Sequence, residues 1–488
     1  MTTTSVLARR FLAEYARNPV NLLVLALIPV VFVVAAAGAM ADAARLLGGS
    51  GADVPTATAG WAAAFLAGVA MYFQTRAARA ADRRLVLAGL APRNLVAARL
   101  ATGLALSLLV TAAALVALSL RTGIEQPLRV TGGTLMFALI YLAIGTLVGV
   151  TVRNPVNGTV IILFVWILDV FFGPAVGSPD RLATRWFPTH FVTLWMVDLP
   201  SRHGGWPGDL GWALLWTASA SLVAWTVLTA TSRISRRRIH RQGRFVAGLR
   251  MGLRDNRRNP ALLILMAVVP VVFIWFSKAV TEAGYLTMQV VDSGQTITRS
   301  FWLPDVHAGT MTPIAVASLA ALAGLFIVLD ARTGDSRLTL AGFPKNTLLV
   351  VRLCVVGLAA AVVTAAALTV TALVFDARQP VTYAAGNVLI AATYAMIGVC
   401  LGPVFGRVAG VLIAFLIPFL DLGIAQSPML RSEPPGWARF LPGYGADRIL
   451  LDGGLTAGFD QTAPLLLALA WLTVLTIGGT FLFRRAAN

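Results

Sequence analysis

Two acids, Asp169 and Asp421, close stretches that are otherwise almost wholly apolar. A carboxylate at that depth is a candidate for function, unless water reaches it at the membrane boundary. A second cluster is charged and occurs twice. Asp82-Arg83-Arg84-Leu85 is followed by Ala88-Gly89, Pro92 and Arg99; Asp335-Ser336-Arg337-Leu338 is followed by Ala341-Gly342, Pro344 and Arg352. Charge at the start, apolar residues next and a Gly–Pro stop describe a short helix suited to touching another protein rather than making bonds. Catalytic groupings do not emerge. There is no GxxxxGK[ST] phosphate loop. His190, His203, His240 and His307 lack metal-ligand spacing, and paired loop acids for metal or glycosyl chemistry are missing. Cys354 and Cys400 fall inside apolar stretches, where packed thiols are expected rather than a disulfide.

The elements that must position these residues are set by composition. Hydrophobic residues make up 58% of the 488 and charged residues 12%, about half the charged share of a soluble domain. Apolar stretches of membrane-spanning length lie near 20–41, 57–75, 95–119, 131–152, 156–173 and 210–231, then 260–280, 311–329, 347–374, 383–405, 408–425 and 462–483. Backbone polar groups find no water in lipid, so stretches this long are expected to be helices. The expectation is an all-α polytopic membrane protein with twelve transmembrane helices. No cleavable leader is expected, since no small-residue cleavage site precedes the first apolar run.

The twelve fall into two sets of six. Arg17-Asn18-Pro19, nine residues, then Pro29-Val30-Val31-Phe32 returns as Arg258-Asn259-Pro260, nine residues, then Pro270-Val271-Val272-Phe273. Val110-Thr111-Ala112-Ala113-Ala114-Leu115 matches Val363-Thr364-Ala365-Ala366-Ala367-Leu368. Tyr141, Ile144, Gly145 and Gly149 match Tyr394, Ile397, Gly398 and Gly402, and Asp169 aligns with Asp421. An even number of spans per half makes the repeats parallel. Modules are expected at 1–231 and 246–488, joined by a basic linker at 232–245.

The formal charge of +18 could suggest nucleic acid, but its distribution argues for lipid. With the termini and the 2/3, 4/5, 6/7, 8/9 and 10/11 loops placed in the cytoplasm, that side holds 27 basic and 5 acidic residues. The remainder holds 12 basic and 16 acidic, as the positive-inside rule requires. An amphipathic stretch precedes each first span: Leu7, Phe11 and Tyr15 share one face, as do Phe245, Leu249 and Leu253. The aligned acids Glu14 and Asp255 pair locally or meet a partner. Beyond each fifth span, 174–209 and 426–461 combine aromatics with proline, including Trp186-Phe187-Pro188 and Phe440-Leu441-Pro442. Short helices at the outer interface are expected there.

Taken in order and in duplicate, these features resemble a fused, two-module ABC type-2 permease of the type V exporter-like class, which includes bacterial drug, polysaccharide and antibiotic exporters. The resemblance rests on the elbow, the Asp-Arg-Arg-Leu…Ala-Gly…Pro…Arg loop and the long aromatic–proline segment between spans five and six. It implies a bacterial inner membrane location with both termini cytoplasmic, no cofactor in the chain itself, and two copies of a separately encoded ABC ATPase that carry ATP and Mg²⁺. It also implies docking by Asp82, Arg83, Arg84, Leu87 and Gly89, and by Asp335, Arg337, Leu340 and Gly342. Aspartate stands where the usual loop begins with glutamate. Spans two and five would line a small-molecule path, with Phe65, Met71, Phe164, Trp166, Phe326, Phe415 and Phe419 as candidates beside Asp169 and Asp421. Such lining suits a hydrophobic or amphipathic drug or antibiotic; lipid and polysaccharide exporters share the frame. A proton-coupled major-facilitator transporter also has six plus six spans. It would want ionisable groups deep in the spans and would not call for elbows.

Overall fold

Prolines mark where the helices begin. In the computed structural model, which describes residues 3–17, 19–46, 51, 54–152, 154–176, 184–199, 202–231, 260–292, 294–340, 345–431 and 433–486, helices start at Pro19, Pro92, Pro127, Pro155, Pro207, Pro260 and Pro380. Proline lacks the N–H that a first turn cannot bond anyway, and its φ is already helical. The chain forms two compact units, Met1–Ile239 and His240–Asn488.

The first unit begins with the elbow Thr3–Ala16, followed by Pro19–Leu46, Val54–Leu87, Pro92–Arg121, Pro127–Thr151 and Pro155–Phe171. A short helix, His190–Met196, precedes the last, Pro207–Thr231. In the second unit the order is Pro260–Val280, Leu303–Leu340, Lys345–Val374, Pro380–Pro418, a π-helical turn at Phe419–Ala425, a short helix Tyr444–Leu455 and Thr462–Ala486. Among the described residues nine helices are long and apolar enough to cross a membrane, and Pro155–Phe171 and Met266–Val280 are shorter apolar helices. The expected tenth and eleventh spans form one run, Pro380–Ala425, broken at Gly406, where φ is 69° and ψ −158°. Among the described residues the protein is an all-helical polytopic membrane fold apart from a single hairpin.

That hairpin was not expected. Strand β1, Tyr285–Asp292, pairs antiparallel with β2, Gln295–Trp302, in the second unit. Polar Thr287 and Gln289 alternate with buried Met288 and Val290, the two-residue period of a half-buried strand. Gly294 supplies the positive φ of 76° at the turn, and its N–H donates to Asp460.

Both units pack their second and fourth spans backbone to backbone. A Cβ on Gly145 would collide with the Gly68 carbonyl oxygen, and one on Gly398 with the Ala321 carbonyl oxygen. Lipid tails give no hydrophobic drive between helices, so small residues that allow close approach hold such a seam together.

Candidate functional site

The two charged loops are not separate short helices, as their sequences suggested. Each is the continuation of a second span: the 34-residue helix Val54–Leu87 and the 38-residue helix Leu303–Leu340 run through them. In the first the reason is local, since Gln74-Thr75-Arg76-Ala77-Ala78-Arg79-Ala80-Ala81 contains no Gly or Pro to stop a helix; the second continues even through Gly334. Termination comes at Gly89, with φ of 94°. There the Gly89 N–H donates to Val86 O at 3.1 Å and the Leu90 N–H to Leu85 O at 3.0 Å, a Schellman stop.

At the head of each loop the aspartate turns inward. Arg99 donates to Asp82 from Nε at 3.2 Å and from Nη2 at 2.7 Å. Arg352 does the same to Asp335 at 3.1 and 2.7 Å. Asp335 is buried and Asp82 half-buried, whereas Arg84, Leu87 and Arg337 are exposed. Arg83 is partly exposed and Gly89 faces open space; Leu340 ends its helix. Gly342 and Asp255 lie outside the described residues, as do the linker arginines and the second elbow face of Phe245, Leu249 and Leu253.

The first elbow is fixed to its loop. Phe11 is buried against Leu95 and Ala98, with Leu7, Leu85, Val86 and Leu90 packed around them. The Arg99 guanidinium sits 3.5 Å over the Phe11 ring, a cation–π contact that also screens the ion pair from water. Glu14 is exposed.

Deeper in the spans, Phe65, Met71 and Trp166 are buried, and Phe164 is half-buried. Trp166 packs at a tilt against Phe65, ring centroids 5.2 Å apart, and donates its indole N–H to Trp61 O at 2.8 Å. In the second unit Phe326, Phe415 and Phe419 are buried, the last two rings lying 6.1 Å apart. Lys278 pairs with Asp305 at 2.7 Å and donates to Val374 O at 2.6 Å.

Asp169 and Asp421 are buried rather than solvated. Tyr141 Oη donates to Asp169 Oδ2 at 3.0 Å, and Thr189 adds its hydroxyl at 2.6 Å and its N–H at 3.3 Å. Tyr394 Oη donates to Asp421 Oδ2 at 2.6 Å, the Gly443 N–H at 2.8 Å and the Gln426 amide at 3.3 Å. Thr189 and Gly443 are the residues just before the short helices His190–Met196 and Tyr444–Leu455. The repeat had aligned these tyrosines and these acids, but spacing alone could not show that they bond.

Residues 57–231 match the family described as ABC-2 family transporter protein. The first unit carries an ABC-2 permease domain. The match begins in the second span and ends with the last helix of that unit. A comparison with curated proteins returns no match. The apolar helices make the protein a multi-pass membrane protein, and its first unit is similar to the membrane domains of ABC-2 transporters. ABC-2 permeases typically work with an ABC ATPase partner.

Proposed function

We propose that the chain is the transport subunit of an ATP-driven exporter in a bacterial inner membrane, with both termini cytoplasmic. Two copies of a separately encoded ABC ATPase hold ATP and Mg²⁺, and the cargo is a hydrophobic or amphipathic compound, a drug or antibiotic. The observation that carries this reading is the duplicated loop. Each second span continues into a charged tip, braced by the same arginine–aspartate pair, with Arg84 and Arg337 presented to solvent. A brace repeated in both units suits a surface that receives force, because a partly buried, two-point ion pair holds its geometry under load.

In this reading ATP binding and release at the partner move the permease between inward-open and outward-open states. A cargo bound more tightly by the first state than by the second is delivered outside. The exposed Arg84, Leu87 and Arg337 meet the ATPase, with Arg83, Gly89, Leu340 and Gly342 beside them and Glu14 and Asp255 on the elbows. Asp82 and Asp335 hold the tips rather than touch the partner. Phe65, Met71, Phe164, Trp166, Phe326, Phe415 and Phe419 supply apolar surface along the cargo path.

The experiment is charge reversal of Arg84→Glu together with Arg337→Glu, in membranes that contain the ATPase. Cargo-stimulated ATP hydrolysis should fall while the permease stays in the membrane at wild-type level. Unchanged coupling would remove these residues from the docking role. Transport by the purified chain without ATP, driven by a proton gradient, would end the exporter reading itself.

A further inference from the structure

Tyr141 and Tyr394 stand 253 residues apart, and both are fully buried. Each donates to an aspartate that also accepts from the residue opening a short helix beyond the fifth span. We propose that the pairs Tyr141–Asp169 and Tyr394–Asp421 are latches that fasten the helices His190–Met196 and Tyr444–Leu455, and that export requires them to open. The gating half of this proposal rests on the exporter reading; the latch half does not.

The chemistry favours a latch. The start of a helix presents N–H groups with no intrahelical partner and the positive end of its dipole. A carboxylate satisfies both, but a buried carboxylate needs several donors to offset the water it has lost. In each copy the tyrosine hydroxyl is the donor from the fourth span, so one acid ties three segments together.

The two copies reach this arrangement through different residues. In the first, Thr189 gives both a hydroxyl and an N–H. In the second, Gly443 gives only its N–H, and Gln426 braces the other carboxylate oxygen while also donating to Ala438 O at 2.9 Å. Asp421 lies in the π-helical turn Phe419–Ala425, a wide turn of the kind that often marks functional positions. Glycine is required at 443. A Cβ there would stand 2.7 Å from the Tyr394 hydroxyl and 2.9 Å from Asp421 Oδ2, wedged between the bonded groups. The same contact chemistry has therefore been kept in both repeats although the surrounding residues differ.

The test uses the full-length chain in lipid nanodiscs, with hydrogen–deuterium exchange followed in the two short helices. Tyr394→Phe and Gly443→Ala should each speed exchange across 444–455 by about tenfold, leaving 190–196 unchanged. Tyr141→Phe should do the converse. Asp421→Asn keeps an acceptor oxygen and should keep most of the protection, whereas Asp421→Leu should lose it. Exchange within about twofold of wild type in both Tyr→Phe variants, or a uniform rise across the whole unit, would overturn the latch. The second arm measures export with the ATPase present. Faster exchange with wild-type export would overturn gating alone. Absence of ATP-driven export in the wild-type chain would strike the exporter reading and leave the exchange result standing.

Discussion

Arg99 grips Asp82 at two points, Nε to Oδ2 at 3.2 Å and Nη2 to Oδ1 at 2.7 Å, across seventeen residues of chain. Arg352 and Asp335 repeat this spacing and geometry in the other unit. Both pairs are largely shielded from water, so breaking one by removing a single partner leaves an uncompensated charge.

Arg352→Leu and Asp335→Leu should therefore each cost about 3–5 kcal/mol, and the double variant clearly less than their sum. A double-mutant cycle on the detergent-solubilised protein, read by denaturant midpoint, checks this. Strict additivity would mean that the two side chains act independently.

Gly398→Val places a branched side chain against the Ala321 carbonyl, at the seam of the second and fourth spans. The expected outcome is a loss of at least 1–3 kcal/mol, seen as poor recovery of monodisperse protein. Gly478→Ala, where a Cβ meets nothing within 4 Å, should recover at wild-type yield.

Gly406 and Gly357 separate backbone strain from crowding, because a Cβ at either position would touch nothing within 4 Å. Gly406 sits at φ 69°, which an L side chain adopts only at a cost, so Gly406→Ala should lose about 1–3 kcal/mol. Gly357 lies inside the helix Lys345–Val374. Gly357→Ala should gain up to about 1 kcal/mol. Melting curves of the two variants should shift in opposite directions.

Asp447, on the short helix Tyr444–Leu455, carries a pH dependence whose sign can be stated. Burial pushes its carboxyl up to about 7, the neighbouring Arg448 pulls it down and Asp421 adds to the rise. The folded form thus binds its proton more tightly than the unfolded chain, whose carboxyl titrates near 4. This contribution to stability is full below pH ~4 and falls as pH rises to and through about 7. Melting temperature should drop between pH 5 and pH 8, and Asp447→Asn should flatten that slope.

Much of this was legible in the order of residues. Runs of apolar residues coincide with the nine helices long enough to cross a membrane among the described residues, though not with twelve separate spans, and the 253-residue offset placed Tyr141 with Tyr394 and Gly145 with Gly398 before any contact was visible. Pairing was not legible. Arg99 and Asp82 are separated by a turn whose direction depends on Gly89, and nothing in the spacing says that Asp169 faces Tyr141 rather than water. The hairpin escaped because its alternation is short, its turn is marked only by Gly294, and the first half has no counterpart to align with it. The unbroken second spans escaped for the opposite reason. Charge at Arg76 and Arg79 looked like an exit from the membrane and a new element, but charge does not end a helix whose residues all favour one.

The helix Val54–Leu87 has a mechanical consequence. At 1.5 Å per residue its 34 residues make a rod about 50 Å long. Arg84 is near one end, and the glycine seam at Gly68 is near the middle. A rod without a joint has no slack: a nudge at the tip arrives at the seam as a tilt, undiminished by any bending turn between them. Inserting a flexible pair of glycines at 77–78 would turn the rod into a hinge and let the tip move while the seam stays still.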